Sequence, residues 1–149
     1  MRLVIQRSKN SNVKVNEKIV GSIDKGLVIL VSFTHSDNET DIDYMVNKVT
    51  NLRIFDDEFG VMNKSIKDID GKILSISQFT LYADTKKGNR PSYVNAMKAS
   101  DAKSMYELFN QKLRENNIEV QTGIFQAEMD CTIRNDGPVT IIIDSESDF

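Results

Sequence analysis

Gly26-Leu27-Val28-Ile29-Leu30-Val31 is a nearly continuous apolar run opened by a glycine. A short, unbroken run of this kind reads as a central strand buried on both faces. Upstream, Arg2 to Gln6 reads as a first strand, and Val13, Val15, Ile19 and Ile23 flank Asn16-Glu17-Lys18, which suits a hairpin turn. Val13 and Val15 alternate with polar neighbours, as in a sheet with one wet face. Downstream, Lys72 to Leu81, Ile118 to Thr122, Met129 to Arg134 and Val139 to Ile143 read as further strands.

Two helices interrupt this pattern. Ser36 and Glu39 are spaced as a capping box, and Ile42, Met45, Val46, Val49 and Leu52 recur at helical spacing, predicting a helix over about 38–51. Ser100-Asp101 predicts the cap of a second helix with Ala102, Met105, Tyr106, Phe109 and Leu113 on one face, ended by Asn116-Asn117. The helices do not alternate with strands as repeated units. The expected architecture is one α+β domain over residues 1–149, with mostly antiparallel, barrel-like sheets and two main helices.

The totals narrow the function. With 149 residues, 40% hydrophobic and 28% charged, the chain can bury a sizeable core. No apolar run reaches membrane-spanning length. Leu3 to Ile5 is too short for a signal peptide, so a cytosolic, mature start is expected. A net charge of -3 argues against broad, non-specific nucleic-acid binding, and no DNA partner is expected; a local patch could still grip a short nucleic-acid end. Cys131 and His35 are the only residues of their types, which excludes an intrachain disulfide and a Cys/His zinc site. Cys131 reads as a small apolar residue of a strand, and His35 as an exposed loop histidine. Asp56 to Gly60 reads as an acidic turn without the alternating ligands of a calcium loop. Neither phosphate-binding glycine motif occurs. No metal and no cofactor is expected, and any catalysis must lean on positioned backbone or on the substrate.

Two short stretches stand out. Asn135-Asp136-Gly137-Pro138-Val139-Thr140 puts one of only two prolines between strand-like runs, where proline is disfavoured. It is an ordinary turn or a rigid corner; a cis bond there would expose two carbonyls in fixed geometry. Ser77-Gln78-Phe79-Thr80 carries polar side chains in an otherwise apolar strand, whose alternation would put Ser77 and Phe79 on one face and Gln78 and Thr80 on the other. It reads as the wet face of an edge strand or as a site.

Together, in this order and spacing, the two stretches resemble the paired motifs of the D-aminoacyl-tRNA deacylases. Val4 to Arg7, Leu52 to Phe55, Gly88 to Ser92 and Gln121 to Phe125 are similar to that family too, so the resemblance covers nearly the whole chain. It implies hydrolysis of the ester between a D-amino acid and the 3′ end of a tRNA, and removal of mischarged glycine. It also implies a cytoplasmic homodimer with its active sites at the subunit interface and no metal. Ser77, Gln78, Phe79 and Thr80 would form the catalytic strand. Gly137 and Pro138, as a cis pair entering the partner's pocket, would select chirality, with Arg7 holding them. Phe125 and Met129 resemble pocket-lining positions, although both also suit a core. Lys86, Lys87 and Arg90 are either tRNA phosphate contacts or a solvated loop. Thr80 is a nucleophile by position, but no base adjoins it in sequence, which favours assistance from the ribose 2′-hydroxyl. A non-catalytic tRNA- or protein-binding module is the competing class.

Overall fold

A computed structural model describes residues 1–146. A six-stranded sheet is built from β1 (Arg2–Val15), β2 (Lys18–Ser32), β5 (Lys72–Ser77), β6 (Val120–Thr122), β7 (Asp130–Thr132) and β8 (Asn135–Asp144). A separate small hairpin joins β3 (Phe55–Asp56) to β4 (Met62–Lys64). The helices are α1 (Glu39–Asn51) and α2 (Ala99–Arg114).

β1 and β2 form a long antiparallel hairpin. Asn16 and Glu17, at φ 49° and 65°, make the tight turn expected there, since two positive φ values match the twist of the flanking strands. β2 is the central strand the apolar run predicts: Leu27, Ile29 and Val31 join the main core and Val28 joins a second, smaller one. The main core lies under the helices, where Ile42, Met45 and Val49 of α1 meet Phe109 and Leu113 of α2. The smaller core holds Val13, Ile23, Val28, Leu74 and Ile76 on the opposite face, with Met129 and Cys131 packed against it.

The sheets are mostly antiparallel, as expected, with two added details. The six-stranded sheet is mixed: β2 pairs with β5 and β5 with β6 in parallel, because α1 and α2 serve as the crossovers that parallel neighbours need. The remaining pairings are antiparallel. It is also not closed into a barrel. β6 ends one side, and the free edge of β1 is shared by β8 at Arg2–Ser8 and β7 at Asn12–Lys14.

Several boundaries differ for local reasons. The α1 capping box is Asn38 with Asp41, not Ser36 with Glu39: Thr40 N–H donates to Asn38 Oδ1 at 2.8 Å and Asn38 N–H to Asp41 Oδ2 at 2.9 Å. Ser36 instead bonds Glu146. α2 begins at Ala99 behind Lys98, without a side-chain cap, and ends at Arg114 before Asn117 turns left-handed at φ 60°. β5 stops at Ser77, and residues 79–82 form a 3-10 turn, so the 77–80 segment does not alternate as a strand. The Val31–Ser77 pair is the last of the β2–β5 ladder, and Gln78 N–H closes it on Val31 O at 2.8 Å.

The acidic stretch from Asp144 is anchored as far as Glu146. Arg2 Nε donates to Asp144 Oδ2 at 2.8 Å, and Ser145 N–H donates to Met1 O at 2.9 Å. From sequence, the acidic tail Asp144 to Phe149 reads as frayed; its last residues, 147–149, lie outside the described residues.

Candidate active site

A cavity of about 600 Å³ opens where β5 ends. Ser77, Gln78 and Phe79 form one wall. Phe33, Tyr93 and Met97 form another, and Phe125 and Met129 a third. No carboxylate, histidine, lysine or arginine lines it. Four of the sequence-derived residues, Phe125, Met129, Ser77 and Gln78, thus meet Phe79 in one place. Cys131 also lines the cavity, half-buried against the smaller core, where burial pushes its thiol up and keeps it protonated.

Each wall has a structural cause. Phe79 and Thr80 begin the 3-10 turn, so their N–H groups have no partner within it. Thr80 does not line the cavity; its hydroxyl accepts from Gln78 Nε2 at 2.5 Å. The Phe79 and Tyr93 rings meet edge-on, 5.0 Å apart at 69°, and both remain exposed at the mouth. Phe125 is steadied by Tyr106 of α2, 5.9 Å away, whose hydroxyl donates to Ser75 O at 2.6 Å. The segment 93–97 was not legible as a wall. It is strapped to residues 33–35 by Met97 N–H to Phe33 O (2.9 Å), Thr34 Oγ1 to Asn95 O (2.6 Å) and a bridge between Thr34 and Ala96. His35 sits on this strap, exposed, its Nε2 2.7 Å from Val94 O, and takes no place in the cavity.

Gly137 and Pro138 lie elsewhere on the protomer and do not line its cavity. Their peptide bond is cis. They do not separate two strands but form a bulge within β8. Gln6 pairs with Thr140 and Ser8 with Asn135, so the single residue Arg7 faces the four residues 136–139. Arg7 fills that gap: Nε donates to Asp136 O at 3.0 Å and Nη1 to Ile54 O at 2.9 Å. From within the bulge, Asn135 Oδ1 accepts from Val139 N–H at 3.1 Å while its Nδ2 donates to Thr140 Oγ1 at 2.9 Å. The result is a braced, exposed backbone knuckle. Lys86, Lys87 and Arg90 are all exposed on the loop closed by paired backbone bonds between Asp84 and Ser92, which leads directly into Tyr93. Among the described residues, no cluster of His, Cys, Asp and Glu could hold a metal.

Comparison with known proteins identifies the family. The D-Tyr-tRNA(Tyr) deacylase family matches residues 4–144. A D-aminoacyl-tRNA deacylase of Bacillus pumilus (strain SAFR-032) is 51% identical over 146 residues, 98% of this chain and 99% of the relative. One of Thermus aquaticus is 51% identical over 145 residues, 97% of this chain and 95% of the relative. Among solved structures, the c-Myc DNA Unwinding Element Binding Protein superposes with a TM-score of 0.92 at 36% identity, covering 97% of this chain and 99% of that one. A probable eukaryotic D-amino acid tRNA deacylase shares the fold, with a TM-score of 0.82 at 15% identity, covering 95% of this chain and 97% of that one. The chain therefore belongs to the D-Tyr-tRNA(Tyr) deacylase family and is an enzyme that hydrolyses the aminoacyl ester of D-aminoacyl-tRNA.

Proposed function

We propose that the hydrolysis is a chiral proofreading step carried by backbone rather than by acid–base side chains. The observation that carries this reading is the cavity itself. It has the size for an aminoacyl group and is walled by the 77–79 segment, yet no carboxylate, histidine, lysine or arginine lines it. An aminoacyl ester is already activated, so a modest electrostatic contribution suffices. Phe79 and Thr80 N–H groups would receive the oxyanion of the tetrahedral intermediate; one such donor is worth about 3–4 kcal/mol.

The braced Gly137–Pro138 knuckle would serve the cavity of a second copy, making the working form a homodimer. Its carbonyls would accept from the substrate ammonium and leave no room for an L side chain. Rejection by a rigid obstacle requires a backbone that does not yield, which is what Arg7 and Asn135 supply. Glycine has no side chain to reject, so glycyl-tRNA would also be a substrate. Lys86, Lys87 and Arg90 would meet phosphates of the tRNA acceptor end, and an enzyme acting on tRNA would work in the cytoplasm.

The test compares D-Tyr-tRNA with L-Tyr-tRNA in metal-free buffer. Release of D-tyrosine with L-Tyr-tRNA left largely intact is expected; equal rates on both refute chiral editing. Thr80→Ala separates the two chemistries. Its hydroxyl is held by the Gln78 amide rather than by a base, so near-normal turnover is expected, with the ribose 2′-hydroxyl assisting water. Loss of turnover with the fold intact would restore Thr80 as the nucleophile.

A further inference from the structure

The 3-10 turn Phe79–Tyr82 projects past the last rung of the β2–β5 ladder, so something other than the sheet must fix it. On the cavity side, among the described residues, the only side-chain contact to its backbone is long: Ser32 Oγ to Phe79 O at 3.4 Å. From below, the contact is short and charged. Arg2 Nη1 donates to Leu81 O at 2.7 Å. Leu81 O is among the last carbonyls of the turn, which have no partner inside it. The same guanidinium donates through Nε to Asp144 Oδ2 at 2.8 Å and lies over the buried Tyr82 ring, 4.6 Å from its centroid. Asp144 is itself shielded, its side chain 3% exposed. Arg2 is thus held between a carboxylate, a ring and the carbonyl to which it donates.

We propose that Arg2, oriented by Asp144, is a positioning residue for deacylation, fixing the 79–82 turn so that the Phe79 and Thr80 N–H groups point at the ester. The proposal rests on the oxyanion role given to those groups above. A planar guanidinium is required because two donors must diverge at fixed angles while the face stacks on Tyr82. An ammonium is a point charge and can satisfy Asp144 or Leu81 O, not both with the ring. Oxyanion donors are useful only where the charge develops, so a small tilt of the turn lowers kcat while substrate binding elsewhere is unaffected.

The experiment uses Arg2→Met and Arg2→Lys in the full chain, with kcat and KM measured separately on D-Tyr-tRNA. Amide NMR signals of Phe79 to Tyr82 report the turn without chemistry. For Arg2→Met, kcat should fall about tenfold to a hundredfold, the range that misplacement on the ångström scale produces. KM should stay within about twofold of its original value if only transition-state contacts are lost, and the four amide signals should move. Arg2→Lys should recover the thermal midpoint, through Asp144, but not kcat; it also serves if Arg2→Met fails to fold. Unmoved signals with unmoved kcat would overturn the role of Arg2 alone. Signals that move while kcat does not would refute the oxyanion role of the turn, and the proposal with it. A lysine variant that restores kcat together with the thermal midpoint would reduce Arg2 to a structural charge.

Discussion

Gly137→Ala should lower deacylation of D-Tyr-tRNA about a hundredfold, the order of loss that a 1 Å displacement causes at a reacting centre, while the protein stays folded. Gly137 sits at φ +131°, in the region that side-chain-bearing residues rarely adopt. An added Cβ would meet Val139 Cγ2 at 2.9 Å, Arg7 Nη2 at 3.0 Å and Val139 N at 3.1 Å. None of these can retreat cheaply. Val139 N–H is bonded to Asn135 Oδ1, and the Arg7 guanidinium is committed to Asp136 O and Ile54 O. The knuckle must therefore move, and with it the carbonyls that would face the substrate ammonium. Because Gly137 is exposed, the stability cost stays near the strain of one residue, about 1–3 kcal/mol. Rates on D- and L-Tyr-tRNA and a thermal melt check this together. A variant with the D rate and the D-to-L ratio both unchanged would remove the knuckle from the mechanism.

That the knuckle could be picked out from the chain alone, while its setting could not, follows from what each depends on. Gly137-Pro138 is informative locally, because proline removes a donor from any ladder it enters. Its place inside β8, opposite Arg7, depends on the register with β1, a long-range pairing that no local pattern encodes. β2 was legible because burial on both faces makes it uniformly apolar. The end of β5 was not: Ile76 to Leu81 continues to look strand-like, and that the ladder with β2 ends at the Val31–Ser77 pair is a long-range fact that no local pattern encodes. The parallel pairings were hidden for a related reason, since the crossover role of α1 and α2 is a property of topology and not of their apolar faces. Gln78 and Phe79 were therefore identified with the right neighbours and the wrong geometry. Tyr93, Ala96 and Met97 were missed because a strap held by backbone bonds to Phe33 and Thr34 leaves no signature in residue type. Arg2 escaped notice as an ordinary charge at a strand start.

Asp37→Asn carries the largest expected stability effect. Asp37 Oδ1 accepts from the Met1 ammonium at 2.5 Å, and neither group is exposed. Burial pushes the Asp37 carboxyl up, while the bonds from the Met1 ammonium and the Thr34 N–H pull it back down. The asparagine keeps the shape but leaves the buried ammonium facing a neutral amide, with Ser145 Oγ at 2.8 Å as its remaining partner. Removing one member of a buried ion pair costs about 3–5 kcal/mol, a large share of the roughly 5–15 kcal/mol that keeps a domain folded. The loss should also be directional. Asp37 Oδ2 accepts from Thr34 N–H at 2.7 Å, and Thr34 is the residue that ties the 93–97 strap to the cavity wall. Hydrogen exchange at Thr34 and Met97 should therefore accelerate more than at Ile29 or Val31 in the centre of β2, and urea unfolding should shift to lower concentration with an unchanged slope. Uniform acceleration across the sheet would mean that the pair supports the fold as a whole and not the strap. An unmoved urea midpoint would mean that the ammonium finds an equivalent partner, and that the wall beside Phe33 does not depend on the chain's first residue.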